Sequence, residues 1–395
     1  MNKKTIRLLL DIIKAAIWGN DFVVKDTLNE DVYEELKKHA IILLPTSIVS
    51  KLSMPSEIRT EWHKLIIQHI AFNYNYRYNQ SILPIQVPYI ILKGSSAAQY
   101  YPHPEYRTMG DIDIITRRED YLEACSMLLK NDYREIKDNH ENDNGRHRCF
   151  NKNGITVEVH RFFSLLNDTE KAKYLDDLII NNIKQDHILP DLINGLVLLE
   201  HISQHLENGL GLRQIIDWMM FVNRCLPDEN WPEFESLAER IGLKNLAIVT
   251  THMCEVYLGL PKRDWCEEAD ESLCIQLLDY VLNCGNFGNK RKSDSDIVKN
   301  VFVIARNPKA AFKLLQTRGL LNWKAAQKLW FLRPFAWMFQ TWRYFFRGVI
   351  RKEASSKLRE EFKIAQERNR MLDILGVRQA SKGQTIYQNG DYVKQ

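Results

Sequence analysis

Asp111 and Asp113 lie two residues apart in GDIDIIT, a segment that alternates polar and apolar residues as a β-strand with one buried face does. Strand residues two apart point to the same face, so both carboxylates leave the sheet on one side. An unpaired charge on a buried strand is costly, so such carboxylates are usually paired or metal-bound. The pair therefore suits a divalent cation carrying a nucleoside triphosphate. The alternative is the solvated outer face of an edge strand.

A Gly-Ser turn precedes this strand. The apolar run that ends at Leu92 is followed by Lys93, Gly94, Ser95 and Ser96. Glycine has no Cβ, so backbone N–H groups and a hydroxyl can approach phosphate oxygens here. Lys93 and Arg107 bracket the turn and could neutralise phosphate charge, Arg107 through a bidentate fork. The alternatives are a plain strand-to-helix turn and, for both Lys93 and Arg107, a salt bridge, for example from Arg107 to Asp111 or Asp113.

A third carboxylate is needed for a two-metal site, and Glu158 is the best candidate. It lies in ITVEVH (155–160), where the period of two places Glu158 and His160 on one side of a strand. The preceding Asn153-Gly154 tolerates positive φ and predicts a hairpin that pairs 146–150 with 155–160. Beside the aspartate strand, this hairpin would bring Glu158 to the same patch. Taken by itself, Glu158 is more often a surface residue.

The sequence also indicates, in outline, the helices and strands that must position these groups. Residues 1–85 pattern as helices interrupted by prolines, 86–165 as short strands with helices, and 166–320 as helices again. Residues 118–130 predict a helix with Leu122, Cys125, Leu128 and Leu129 facing inward. Residues 321–378 form an aromatic and basic helical region, and 379–395 a polar tail that we expect to be disordered.

The succession LKG, YP-x-P-x-x-R, GDIDI and VEVH resembles an uncharacterised nucleotidyltransferase family of the DNA polymerase β-like superfamily. The superfamily pattern is a Gly-Ser turn, an Asp-x-Asp/Glu strand and a later strand carboxylate. The match is best from Pro88 to about Phe163 and is fairly specific as a combination. It departs from the superfamily in the longer spacing between Ser95 and Asp111 and in the use of Glu158, not aspartate.

The resemblance implies an α+β fold, a small twisted mixed sheet flanked by mostly helical N- and C-terminal parts. It implies Mg²⁺ (or Mn²⁺) on Asp111, Asp113 and Glu158, and an NTP bound by Lys93, Gly94, Ser95, Ser96 and Arg107. The expected reaction is transfer of a nucleoside monophosphate to an acceptor, with release of pyrophosphate and with Glu158, or less readily His160, as base. The acceptor could be a small molecule, a saccharide, a tRNA or a protein. The alternative is a degenerate module that binds a nucleotide or a partner without catalysis.

The helical half contains EHISQH (200–205) and GLRQIID (211–217). His201 and His205 share a helix face, but the glutamate of a zinc-protease HExxH motif is missing. Packing with exposed polar tips is one interpretation. The resemblance implies another, in which this module closes the cleft over the nucleotide or acceptor and Arg213 and Asp217 line it.

Residues 321–351 are rich in aromatic and basic side chains, which suits single-stranded nucleic acid or a membrane surface. We favour core or interface packing, which fits the spacing at least as well. The net charge of +4 and pI near 8.5 fit polyphosphate binding without demanding nucleic acid. Seven scattered cysteines without a CxxC motif suggest reduced thiols. The N-terminal apolar stripe (Ile6, Leu9, Leu10, Ile13 and Ile17) favours a packed helix over a signal peptide, and no run would span a bilayer. We therefore expect a cytoplasmic protein.

Overall fold

The computed structural model describes residues 2–19, 22–136, 146–166, 168–285, 312, 315–316, 319–320, 323–350, 370–377, 387–388 and 391–392. Two compact units are present, and each is described by itself. The larger comprises Met1–Lys290 with Ile374–Gln395, and the smaller comprises Arg291–Asp373.

The larger unit begins with helices α1 (Lys3–Trp18), α2 (Glu30–Lys38) and α3 (Ser56–Ser81), with a 3₁₀ helix at Leu44–Lys51 before α3. The expected N-terminal helix is confirmed, because α1 buries most of its apolar stripe. The Asn2 side chain caps it by accepting a hydrogen bond from the Thr5 N–H at 2.8 Å. Among the described residues, no helix combines the length and apolarity needed to cross a bilayer.

A five-stranded sheet follows, made of β1 (Tyr89–Leu92), β2 (Ile112–Thr116), β3 (Arg134–Ile136), β4 (His147–Lys152) and β5 (Ile155–His160). Its order is β1-β2-β5-β4-β3, with β2 and β5 parallel and all other neighbours antiparallel. The predicted hairpin joins β4 to β5, and Asn153 and Gly154 take φ values of 53° and 82° at its turn. Helix α4 (Gly94–Ala98) and a 3₁₀ helix at Pro104–Tyr106 lie between β1 and β2.

One face of the sheet packs against helix α5 (Tyr121–Lys130), which follows β2. Ile112 and Ile114 of β2 enter this core with Phe150 and the valines of β5. Of the four residues predicted to face inward on α5, two are buried and two are exposed. Cys125 and Leu128 are buried, but Leu122 and Leu129 are exposed, and Tyr121 and Ala124 take the inward positions. Leu122 and Leu129 are seven residues apart and therefore share the outer face.

The rest of the larger unit is helical: α6 (Thr169–Asn181), α7 (Asp191–Asn208), α8 (Leu212–Cys225), α9 (Trp231–Ile241), α10 (Lys244–Leu258) and α11 (Glu271–Cys284), with short 3₁₀ helices at Asp228–Asn230 and Asp264–Cys266. The α+β fold class predicted from the sequence is thus confirmed. No disulfide bond joins the seven cysteines, all of which lie in described ranges.

In the smaller unit, the described helices are α12 (Lys324–Lys328), a 3₁₀ helix at Trp330–Phe335 and α13 (Ala336–Ile350). Trp323 stacks on Phe339 with ring centroids 5.0 Å apart, whereas Trp330 and Trp342 are exposed. The aromatic segment therefore combines packed and exposed rings. Within the expected disordered tail, β6 (Tyr387–Gln388) pairs with β7 (Asp391–Tyr392), and the remaining tail residues lie outside the described ones.

Candidate active site

Strands β2 and β5 bring the predicted acidic groups together on the sheet face opposite α5, beside the end of β1. Asp113 of β2 is in register with Leu92 of β1 on one side and with Glu158 of β5 on the other. Lys93 directly follows Leu92, and His160 lies two residues beyond Glu158 on the same face. Asp111 immediately precedes β2, which begins at Ile112 and not at Asp111 as predicted. The register therefore places one cation, one imidazole and three carboxylates at adjacent positions.

Asp113 is the centre of this group. Its Oδ1 atom lies 2.7 Å from Lys93 Nζ and 2.9 Å from His160 Nε2. Burial by itself would favour the neutral acid, but the Lys93 ammonium and the hydrogen bond from His160 outweigh it and hold the pKa of Asp113 well below its usual range. The Lys93 ammonium thus lies where a metal cation would neutralise the same oxygen.

Glu158 and Asp111 differ in their protonation behaviour. Burial opposes ionisation of Glu158, but His160, whose Nε2 lies 3.4 Å from Glu158 Oε2, lowers its pKa. Asp111 lies at the exposed rim, and partial burial of its carboxyl, with the negative charges of Glu158 and Asp113, raises its pKa to about 6. The group therefore carries more negative charge than Lys93 neutralises, as expected of a cation site.

The donor set fits a divalent metal. Ligand atoms of Asp113, Glu158 and His160 all lie within 4.8 Å of one another. Carboxylate oxygens are the ligands that Mg²⁺ prefers, and Asp111 would add a further carboxylate from the rim. The residues that would hold the metal are therefore Asp113 and Glu158, with Asp111 next to them.

The Gly-Ser turn is held against helix α3. Gly94 opens α4, and a Cβ placed on it would lie 2.6 Å from the Tyr76 hydroxyl oxygen, so glycine is required. The Ser95 hydroxyl donates to Gln80 Oε1 in α3, and the Ser96 hydroxyl donates to the Lys93 carbonyl at 2.8 Å. These hydroxyl bonds fix the conformation of the turn beside Lys93.

Arg107 forms a buried ion pair. Its Nε and Nη2 atoms each donate to one oxygen of Asp217 at 2.7 Å, and the Tyr101 hydroxyl donates to the same carboxylate at 2.7 Å. The side chains are only 4% and 2% exposed. Of the two predicted roles for Arg107, phosphate binding or a salt bridge, the structure shows a salt bridge, with Asp217 in place of Asp111 or Asp113. Asp217, which the resemblance assigned to the lining of a cleft, is buried in this pair.

Helix α7 and the start of α8 supply the remaining predicted residues. His201 and His205 approach with their Nε2 atoms 2.9 Å apart. Burial and nearby positive charges, including Lys93, hold the pKa of His201 well below normal and lower that of His205 to about 3. Both imidazoles are therefore neutral at physiological pH. Burial and the neighbouring Arg107 lower the pKa of Arg213 to about 10, which leaves it cationic. Arg213 is half-buried, and its Nη1 lies 3.5 Å from the carbonyl oxygen of Thr108 in the loop before β2.

Two residues on the same sheet face were missed from the sequence. His147 is in register with His160, and Cys149 with Glu158, across the β4–β5 hairpin. Their side chains reach Glu158, with His147 Nε2 3.9 Å from Oε2 and Cys149 Sγ 3.8 Å from Oε1. Counting back from the predicted Asn-Gly turn would have paired these positions, so the signal was present.

A mixed sheet with clustered strand carboxylates beside a Gly-Ser turn is the arrangement of a nucleotidyltransferase core. The chain belongs to a family of uncharacterised nucleotidyltransferases, whose model matches residues 32–259, more than half of its length. This confirms the resemblance inferred from the sequence motifs. Neither the curated proteins nor the solved structures compared with the chain include a significant match.

Proposed function

We propose that the protein transfers a nucleoside monophosphate from an NTP to an acceptor hydroxyl and releases pyrophosphate. The observation that carries the proposal is the convergence of Asp111, Asp113 and Glu158 on one sheet face, with the Lys93 ammonium 2.7 Å from Asp113. Family membership supports the transferase class.

The carboxylates would hold Mg²⁺ (or Mn²⁺), which when bound would neutralise the triphosphate and polarise its α-phosphate, in the manner of two-metal phosphoryl transfer. The low pKa values of Asp113 and Glu158 keep both groups ionised at neutral pH, ready to act as oxygen ligands. Lys93 would then be released from Asp113 to face phosphate oxygens.

Positive charge for the triphosphate would come from Lys93 and Arg213. Arg107 is paired with Asp217, whereas Arg213 is half-buried and its Nη1 lies 3.5 Å from the carbonyl oxygen of Thr108, three residues before Asp111. Arginine also offers a bidentate fork for phosphate oxygens. The backbone N–H groups at the start of α4 would add hydrogen bonds to phosphate.

Glu158 would accept the proton of the attacking hydroxyl. Its side chain is 22% exposed, whereas His160 is 1% exposed and is bonded to Asp113. An acceptor entering from solvent can therefore reach Glu158 more readily. The lowered pKa of Glu158 makes it a modest base, so most of the acceleration would come from orientation and charge neutralisation.

The test is incubation of the protein with α-³²P-labelled NTPs, Mg²⁺ and a cell extract, followed by identification of the labelled product. Asp111→Ala and Asp113→Ala should each abolish labelling and leave the circular dichroism spectrum unchanged. Glu119→Ala, which removes an exposed carboxylate from the turn after β2, is the matched control and should label normally. Full labelling by either aspartate variant would refute the proposal. Binding of NTP by the wild-type protein without any labelled product would instead indicate a binding module. A small molecule, saccharide, tRNA or protein acceptor would each be recognised by the mobility of the product.

A further inference from the structure

A second set of metal-binding side chains occupies the β4–β5 hairpin. His147, Cys149, Glu158 and His160 form a two-by-two array, since His147 is opposite His160 and Cys149 is opposite Glu158. Opposed residues on antiparallel strands project to the same side, and so do residues two apart. All four side chains therefore share one face of the sheet.

The distances in this array are close to those of a metal site. Ligand atoms of His147, Cys149 and Glu158 all lie within 4.8 Å of one another. A tetrahedral zinc with nitrogen, oxygen and sulfur ligands at about 2.0–2.3 Å needs ligand atoms roughly 3.3–3.8 Å apart. The two contacts to Glu158, at 3.8 and 3.9 Å, already approach this spacing. Rotations of the three side chains would have to bring ligand atoms from as much as 4.8 Å apart to this spacing.

His160 is the fourth ligand within reach, provided that its Nε2 exchanges Asp113 Oδ1, 2.9 Å away, for the metal. Its ring centroid lies 5.1 Å from that of His147, and its Nε2 lies 3.4 Å from Glu158 Oε2. Glu158 thus presents Oε1 to the cysteine and Oε2 to both histidines. Cys149 is only 8% exposed, so a metal bound to its sulfur would be shielded from water.

The donor types determine which metal would bind. Mg²⁺ and Ca²⁺ prefer oxygen ligands, whereas a thiolate with imidazoles selects zinc and similar thiophilic ions. This set therefore differs in chemistry from the aspartates of the neighbouring site.

We propose that His147, Cys149, Glu158 and His160 form a binding site for a thiophilic divalent cation, zinc in particular, next to the aspartate site. Binding would release the thiol proton of Cys149 to solvent as the thiolate ligates the metal. Glu158 and His160 contact both sets of ligands, so zinc and the transfer reaction would compete for them. The site itself stands whether or not the protein is a nucleotidyltransferase.

A second group of possible metal ligands provides a control for the test. His252, Glu255 and Cys266 also place ligand atoms within 4.8 Å of one another, among the residues that the structure describes. That group has three members, whereas His160 gives the hairpin a fourth, and a metal there would also have to break the bond that Glu255 Oε1 accepts from the Arg263 backbone N–H. We therefore assign the metal to the hairpin and use Cys266→Ser as the matched cysteine control.

The experiment measures metal in the full chain after stripping with a chelator, reloading with one equivalent of Zn²⁺ or Co²⁺, and dialysis. Wild-type protein and Cys266→Ser should retain about one zinc, and their cobalt forms should show sulfur-to-cobalt charge-transfer absorption. Cys149→Ser should lose this absorption and weaken zinc binding by more than about tenfold. Mutation of a residue that only hydrogen-bonds to a metal ligand already weakens metal binding by about that much. Asp111→Asn should retain the zinc.

Failure of the wild-type protein to retain zinc would overturn the proposal. So would equal retention by Cys149→Ser, or loss of the metal in Cys266→Ser alone. Because serine is close to cysteine in size, Cys149→Ser should fold, and circular dichroism would verify this. His147→Ala provides a second loss-of-ligand variant with the thiol intact. No readout depends on transfer activity, so failure here is distinguishable from failure of the proposed function.

Discussion

The buried ion pair between Arg107 and Asp217 yields a quantitative prediction. Asp217→Asn would leave the guanidinium buried at 4% exposure without a counter-charge. It would also weaken the hydrogen bonds that reach the carboxylate from Arg107 and Tyr101. Removing one partner of a buried pair destabilises by about 3–5 kcal/mol, and we expect a loss in this range.

The double variant Arg107→Met/Asp217→Asn should cost no more than either single change. Once the guanidinium is gone, no uncompensated charge remains, and methionine fills much of the arginine stem's volume. The two single losses should therefore exceed the double loss by about 3 kcal/mol, a large coupling for neighbouring residues. Urea unfolding followed by circular dichroism measures all four proteins.

Asp177→Asn is the matched control, since it breaks a surface pair between Arg118 and Asp177, 3.1 Å apart and 28% and 41% exposed. Surface pairs contribute about 0–1 kcal/mol, so this variant should unfold nearly as the wild type does. If Asp217→Asn behaved like Asp177→Asn, or if the two single losses simply added, the assignment of a stabilising buried pair would be refuted.

Two further predictions concern Arg213 and Glu200. Arg213→Ala should raise the KM for NTP by about 10- to 100-fold, which is the effect of losing one charge-assisted hydrogen bond. Arg213→Lys should give an intermediate KM. An unchanged KM in steady-state kinetics would show that Arg213 does not bind the NTP. Burial raises the pKa of Glu200 to about 7, so its ionisation destabilises the fold as pH rises from about 4.5 to 7 and has no further effect above that. Unfolding free energies measured across this range should therefore show Glu200→Gln gaining about 3 kcal/mol relative to the wild type, whereas a constant difference would contradict the shift.

Local patterns predicted the hairpin and the acidic strand face well. The Asn153-Gly154 turn sets the register of its own hairpin, and the period of two along β2 and β5 puts Asp113, Glu158 and His160 on one side. These features depend on neighbours along the chain. They are therefore readable before any tertiary contact is known.

Features that depend on distant contacts were not readable in this way. Arg107 finds its partner 110 residues further along, in α8, and nothing near Arg107 in the sequence indicates that choice. In α5, Leu122 and Leu129 were predicted to face inward because they are apolar. In the structure they are exposed, and Tyr121 and Ala124 are buried instead. Which stripe of a short helix packs is decided by the sheet beneath it, which hydrophobicity alone does not specify.

The hydrogen bonds that hold the loop before β2 determine how long a fragment must be to keep the site intact. The Asn73 side chain in α3 donates to the carbonyls of Glu105 and Arg107 at 2.9 Å, and the Tyr76 hydroxyl donates to the carbonyl of Asp111 at 3.4 Å. Asp217 in α8 holds the same loop from the other side.

A fragment cut at the edges of the sheet, residues 86–165, would keep every acidic side chain of the site and lose these supports. The smallest fragment that keeps these supports must therefore run from α3 to α8. That stretch lies wholly within residues 32–259, so the match to the family covers the sheet together with the helices that hold it.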